Sequence, residues 1–547
     1  MSYKKYAALV LASIVVTALA ADKPAEPYRN PFMADSAYTV THSRSDFTSI
    51  AGPTGKSRAL RADEIKWKAL GPVNGFIPLY SGPYPNGKRV IWVGGYDRVA
   101  KLDADTLDVL TTYATGGNTY FGEEETERHI QAMDKLDDAA KLAYINKIWA
   151  EANPQLPTFY RMLSSENELY LPHRNADRSL SLQVFGEVDA KDPASKIQFR
   201  REWKIPAEVS KAGIFGMQIT SDGRIIIVTM DGAMIALSRD FKDYNFIRLP
   251  NKNTGPEPQD FFQSFVRNSL ATDDHGGIFV VTRDHLHRVQ WTGKKLSLDE
   301  ADGAWAAEYP NELGWGSGTT PNLMGWGPQE DHLVVIADGT KGNNMMAFWR
   351  DEIPSDWKGI PGMNRRIAGI TKVKFGVAKD EQPQIENGLV VYGYGAFIDN
   401  SNPIGHLPDL GGGRMVQYLA ESWYMHVPGH EPLGGTKIEW NPKTRTLGTA
   451  WSTQDNFVSS VCTISSATEL LYCWGARNRV WTLEGVDWKT GKSAFTYPLG
   501  KSQRYNVFGG PIIVAPNGAV DCGCTGGLGM VRVQPRQAAK PGPMVGK

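Results

Sequence analysis

DGRIIIVTMDGAMIALSRD, residues 222–240, decides how the rest of the chain is read. The turn pair Asp222-Gly223 leads into the apolar run IIIV. A short polar break, TMDG, follows, then a second apolar run, AMIAL, which ends at polar residues. Two short runs of this kind, one turn apart, describe a β-hairpin. The pattern recurs. Asn86-Gly87 leads KRVIWVGGYDRVAKLDAD, Asn167 leads ELYLPHRNADRSLSLQVF, and Gly276-Gly277 leads IFVVTRDHLHRVQWTG. Asp331 leads HLVVIADGTKGNNMMAFWRD, Asn387-Gly388 leads LVVYGYGAF, Glu469 leads LLYCWGARNRVWTLEG, and Asn517-Gly518 leads AVDCGCTGGLGMVRV.

Repeated hairpins that cannot bury both faces alone must stack on one another, and a ring of four-stranded blades does this. The competing reading, a chance run of hairpins in a sandwich, accounts poorly for eight copies at blade spacing. The expectation is an all-β chain forming a single β-propeller of seven or eight four-stranded blades, eight preferred, with a helical insertion. The stretch IKWKALGPVNGFIPL, residues 65–79, precedes the first copy and is strand-like, so it is expected to supply the outer strand of the last blade.

Two stretches break the rhythm. Residues 123–152 place Ile130, Met133, Leu136, Ile145, Ile148 and Trp149 at near-helical spacing behind an acidic opening turn, and Pro154 ends them. Negative charge at Glu123, Glu124 and Glu125 suits a helix N-terminus. Residues 401–434 are rich in Gly and Pro, carry His406, His426 and His430, and read as a long surface excursion.

The opening residues have a basic start (Lys4, Lys5), a short apolar core at 9–16 and the small-residue pattern Ala18-Leu19-Ala20. This reads as a cleavable export signal, residues 1–20, too short to span a membrane. An irregular arm is expected over 21–62, the propeller over 63–536 and a tail over 537–547. A periplasmic or secreted, bacterial location follows, with no transmembrane segment left after cleavage. Lys plus Arg number 59 and Asp plus Glu 59, and this zero net charge argues against a nucleic-acid partner. Oligomeric state is not written in the sequence.

Four cysteines fit an oxidising compartment. Cys462 and Cys473 flank a hairpin and are placed to bridge its strands. Cys522 and Cys524 share one strand face and are open to pairing with each other, pairing with the first two, or staying reduced.

The stretch LEGVDWKTGK, residues 483–492, resembles the blade repeat of quinoprotein-type propellers, and KLDADT, residues 101–106, is a weaker echo. The resemblance implies an eight-bladed ring whose catalytic members hold pyrroloquinoline quinone and calcium on the ring axis. Those members also carry adjacent cysteines in a vicinal disulfide. No Cys-Cys pair occurs here, and no haem-attachment C-x-x-C-H motif either.

Connections inside the repeated hairpins are expected to open on one face of the ring. They collect Tyr96 and Asp97; His173, Arg174 and Asn175; Asp231; Arg283, Asp284 and His285; Asp338, Lys341 and Asn343; Tyr394; and Arg477 and Asn478. Convergent polar groups at a ring mouth suit a small polar or anionic ligand. In a catalytic reading His173 is the acid/base, Arg174 and Arg477 clamp an anion, and Asp284 or Asp338 orients. Tyr96, Arg283, Asp338, Arg477 and Asn478 bind substrate. His285 and His287 share a strand face, which serves a metal or, more commonly, packing between blades, and no metal site is assigned. Thr319 and Thr320, in GSGTTP, are read as leading into an inner strand and lining the channel. Three functions stay open: an oxidoreductase, a cofactor-free lyase or hydrolase on the same face, and a non-catalytic scaffold binding protein or glycan.

Overall fold

The computed structural model describes residues 23–34, 47–71, 77–94, 97–115, 122–152, 160–251, 262, 264–375, 384–409, 414–507, 509–524 and 528–536. The expected export signal, the expected C-terminal tail and Tyr96 lie outside them.

Eight antiparallel sheets form the blades of one propeller. From the axis outward, each blade runs through first to fourth strands. Blades 1 to 8 occupy residues 79–114, 162–204, 214–248, 270–308, 322–372, 390–456, 463–500 and 512–533, and residues 65–69 complete the last.

The period-2 geometry of a strand explains why the inner runs are almost wholly apolar: both faces of a blade are covered by neighbours. In blade 3, Ile225 and Ile227 pack toward blade 2 with Leu182 and Val184, while Ile226 and Val228 pack toward blade 4 with Ile278 and Val280. Equivalent apolar clusters fill the other blade interfaces.

The ring closes as the sequence suggests. Ile65–Ala69 pairs antiparallel with Gly529–Val533, so blade 8 takes its outer strand from the beginning of the chain. The seam with blade 1 carries a fully buried triad. Arg532 donates to both carboxylate oxygens of Asp521 at 2.7 Å and to the Tyr80 hydroxyl at 2.9 Å, and that hydroxyl donates to Asp521.

The two ends of the ring differ. One carries the turns between first and second strands, and the N-terminal arm laces it. Pro24 lies against Gly393 of blade 6, the Asn30 amide donates to the Ile219 carbonyl of blade 3, and Ala34 N–H donates to Leu163 O of blade 2 at 3.0 Å. Residues 23–34 thus span the laced end from blade 6 to blade 2. The arm was expected to be irregular, yet Phe47–Thr48 adds a short parallel strand inside blade 7.

The other end, the mouth end, carries the connections between second and third strands and those between blades. Helices α1 (Glu123–Met133) and α2 (Asp138–Ala152) form the expected insertion, and Ile130, Met133, Ile145 and Ile148 pack onto blades 7 and 8. The excursion inside blade 6 is not only loop: it contains α3 (Arg414–Ser422), and Trp423, Tyr424 and Met425 are buried with the insertion. No helix among the described residues is long and apolar enough to cross a membrane.

Candidate axial site

Each connection from one blade to the next delivers its last residues to the axis, just ahead of an inner strand. Arg267 precedes Leu270–Thr272 of blade 4, and Glu386 precedes Val390–Tyr392 of blade 6. The two meet there. Arg267 Nη1 donates to Glu386 Oε2 at 2.6 Å, with both side chains about nineteen-twentieths buried. Backbone carbonyls of the blade 5 lead-in fix the guanidinium: Nε donates to Trp315 O at 2.8 Å and Nη2 to Gly316 O at 3.3 Å.

Aromatic rings surround this pair. Phe262 lies 5.1 Å from the Arg267 guanidinium and meets Trp315 and, from α3, Tyr418 edge-on. Tyr160, leading into blade 2, stands edge-on to Phe215 of blade 3 at 5.2 Å. Burial pushes the Tyr160 phenol well above its ordinary range; the Arg267 charge opposes this and the Glu386 charge adds to it. Blades 2 to 6 thus contribute to one mouth holding a paired cation and anion and a neutral phenol.

The residues expected at the mouth fare unevenly. His173 ends the second strand of blade 2, half-buried, and burial lowers its pKa against the opposing pull of Glu202. Arg174 beside it is exposed, and Asn175 holds the hairpin turn through Ser179. Asp284 accepts from His285 Nδ1 at 2.9 Å, and Arg283 offers its carbonyl to Asn311. His285 and His287 stand ring to ring at 5.6 Å; burial drives His287 down to about 4, which keeps it a neutral packing residue. His173 and Asp284 belong to blades 2 and 4, with blade 3 between them.

Three expected ligand-binding residues are occupied by their own loops. Asp338 accepts from Thr340 and from both Asn344 N–H groups, which fixes a turn. Arg477 is tied to Glu484 at 2.6 Å and Asp455 at 3.1 Å. Asn478 and Arg479 both have left-handed φ and make a tight turn of the kind hairpins favour. Tyr394 sits at the laced end, in the turn between the first two strands of blade 6, because the apparent hairpin there is first-to-second strand and not second-to-third.

Cys462 and Cys473 form the expected cross-strand disulfide. Cys522 and Cys524 are free buried thiols. Residues two apart on an extended strand are separated by about 6.6 Å with parallel Cβ directions, near the limit for a bridge. Thr319 and Thr320 do lead into an inner strand; Thr319 Oγ1 accepts from Ala337 N–H, so it braces backbone.

The residues do not fit a quinone with calcium. Calcium takes six to eight oxygen ligands, typically from several carboxylates. The axial carboxylate Glu386 is already shared between Arg267 and Gln384, and the described residues hold no group of three His, Cys, Asp or Glu side chains placed as metal ligands. The bridge in blade 7 joins two strands and is not a vicinal pair. Tyr160, Arg267 and Glu386 are not among the residues expected from sequence; their signal is position, a few residues ahead of each inner strand.

Fold and lacing together define an eight-bladed β-propeller laced at one end by its own N-terminal arm. A protein of Archaeoglobus fulgidus, itself uncharacterized, is 30% identical over 513 residues, covering 92% of this chain and 89% of that protein. The chain belongs to the family of that protein. No family model matches it. Among solved structures, the C-terminal WD40 domain of Sif2 is 9% identical, with TM-score 0.43, over 88% of this chain and 100% of that one. BamB from Moraxella catarrhalis is 10% identical, with TM-score 0.38, over 69% and 97%. Streptogramin B lyase is 8% identical, with TM-score 0.33, over 86% and 96%.

Proposed function

We propose that this chain is an exported β-propeller that binds a small polar or anionic organic molecule at the mouth end of its axis. The observation that carries the reading is the buried Arg267–Glu386 pair beside Tyr160, three groups from three blades at the mouth end, opposite the end laced by residues 23–34. Preorganised hydrogen-bonding groups inside an aromatic wall fix a polar ligand's orientation. Export is supported by the leader-like opening residues and by the Cys462–Cys473 bridge, which suits an oxidising compartment.

A catalytic version uses the same face. His173, kept neutral by burial, serves as base, with Arg174, Arg283 and Asp284 on the rim. Because the axial donors do not fit a quinone, the chemistry favoured is a cofactor-free lyase or hydrolase reaction rather than an oxidoreduction.

The test is a thermal-shift screen of organic acids, amino acids and sugars, followed by calorimetric titration of any hit. Tyr160→Phe and Arg267→Lys are each expected to weaken binding about tenfold, the worth of one good hydrogen bond. The reading fails if no compound stabilises the protein, or if hits bind both variants as tightly as the parent. His173→Ala and Arg174→Ala with unchanged turnover of a hit would remove the rim from the chemistry.

A second reading, a scaffold for a macromolecular partner, is supported by Val188, Phe199, Tyr244 and Phe246, large apolar side chains exposed on the outer parts of blades 2 and 3. A small-molecule screen without hits, together with a partner lost on Phe199→Ser and Phe246→Ser, would favour it.

A further inference from the structure

Beneath the axial mouth, between blades 6 and 7, lies a polar cluster that the ligand site does not use. Asp399 ends the second strand of blade 6 and is 3% exposed. Its Oδ1 is 3.5 Å from the Asn387 amide, and its buried Oδ2 has no hydrogen-bond partner among the described residues. Asn387 Nδ2 also donates to Ser459 Oγ at 2.7 Å, and Ser459 Oγ donates to Ser401 Oγ at 2.8 Å. Ser401 Oγ accepts the backbone N–H of Glu386 at 3.2 Å, which ties the cluster to the mouth. Val458 and Ser459 both have left-handed φ, 46° and 52°, a costly conformation for a β-branched residue and its neighbour. That backbone holds the Ser459 hydroxyl in the cluster.

A carboxylate in an apolar surround costs several kcal/mol unless its charge is matched. No lysine or arginine acts on Asp399; burial dominates its environment, and only Asn387 and backbone N–H groups oppose it. Protonation would remove the charge. A cation answers both the charge and the orphan oxygen. One carboxylate with neutral hydroxyl oxygens balances a single positive charge, whereas a divalent ion would ask for more carboxylates than the cluster has.

We propose that a monovalent alkali cation, sodium or potassium, binds between blades 6 and 7, held by Asp399 with the hydroxyl oxygens of Ser401 and Ser459. It fastens the 384–387, 399–401 and 458–460 segments together under Glu386. The site is separate from the ligand at the mouth and stands or falls independently of it.

The experiment is thermal and chemical unfolding of the full chain in sodium, potassium or choline chloride at constant ionic strength. Sodium or potassium is expected to raise the midpoint saturably, by a few degrees, where choline does not. Asp399→Asn should abolish the response, and Ser459→Ala should shift the half-saturating cation concentration upward about tenfold. An equal effect of all three salts overturns the proposal, as does an undiminished cation response in either variant. A cation-insensitive parent whose Asp399→Asn variant is the more stable above neutral pH also overturns it, by showing that Asp399 is a neutral acid. If Asp399→Asn does not fold, Ser459→Ala and the salt series on the parent decide.

Discussion

Glu484, on the third strand of blade 7, is buried against Arg477 and Thr482, with Asp455 close by. Burial outweighs the Arg477 charge and lifts its carboxyl to about 7. The folded state therefore holds a proton that the unfolded state releases near its ordinary value. The stability this gives is full below about pH 4.5 and is lost as pH rises toward 7, by on the order of 3 kcal/mol. Glu484→Gln is expected to flatten the stability profile in that window, measured by urea unfolding from pH 4 to 8. The thiols are a second case. Burial raises Cys522 and Cys524, the latter to about 12, so neither presents a thiolate in the folded protein. Alkylation by iodoacetamide at pH 8 should wait for unfolding, and rapid labelling of native protein would contradict their burial. At this scale sequence reading reached least far. Arg267 and Glu386 are too distant along the chain for any local pattern to pair them. Asp338 and Asn478 looked like ligand groups because residues that cap turns are also residues that bind polar molecules.

The hairpin was the legible element. Runs such as RIIIV and LVVIA became strands because each is buried on both faces, whereas the closing strand at 65–69, only partly buried, was legible from its alternating pattern. Blade 6 was misread because the long excursion separates its second and third strands, leaving only the first and second to look like a pair. Helix α3 was hidden by Gly and Pro on either side of it, although Val416 and Leu419 follow helical spacing and stay exposed. Two elements invite direct tests. The Cys462–Cys473 bridge closes a short loop inside blade 7, so the double substitution to Ala should cost about 2–4 kcal/mol, read from chemical unfolding under oxidising conditions. At the seam, Asp521→Ala would strand the buried Arg532 cation and cost about 3–5 kcal/mol by the same measurement. A loss below 1 kcal/mol would mean that the triad does not seal the ring.

As a whole the molecule depends on residues 23–69 more than an arm would suggest. Residues 23–34 touch blades 6, 3 and 2, Phe47–Thr48 joins blade 7, and Ile65–Ala69 completes blade 8. Removing residues 21–69 should leave blade 8 with a bare edge and both neighbours half uncovered. The expected outcome is a broad, non-cooperative calorimetric transition and self-association in size-exclusion chromatography. A sharp monomeric unfolding transition would show that the ring closes without its lacing. Closure also sets a schedule for making the protein. Ile65 meets Val533, so an early-synthesised strand has no partner until residue 533 has left the ribosome. Until then its ladder bonds must be met by water or by an escort, which makes the interval between the first and last blade the period of greatest risk of tangling with another chain.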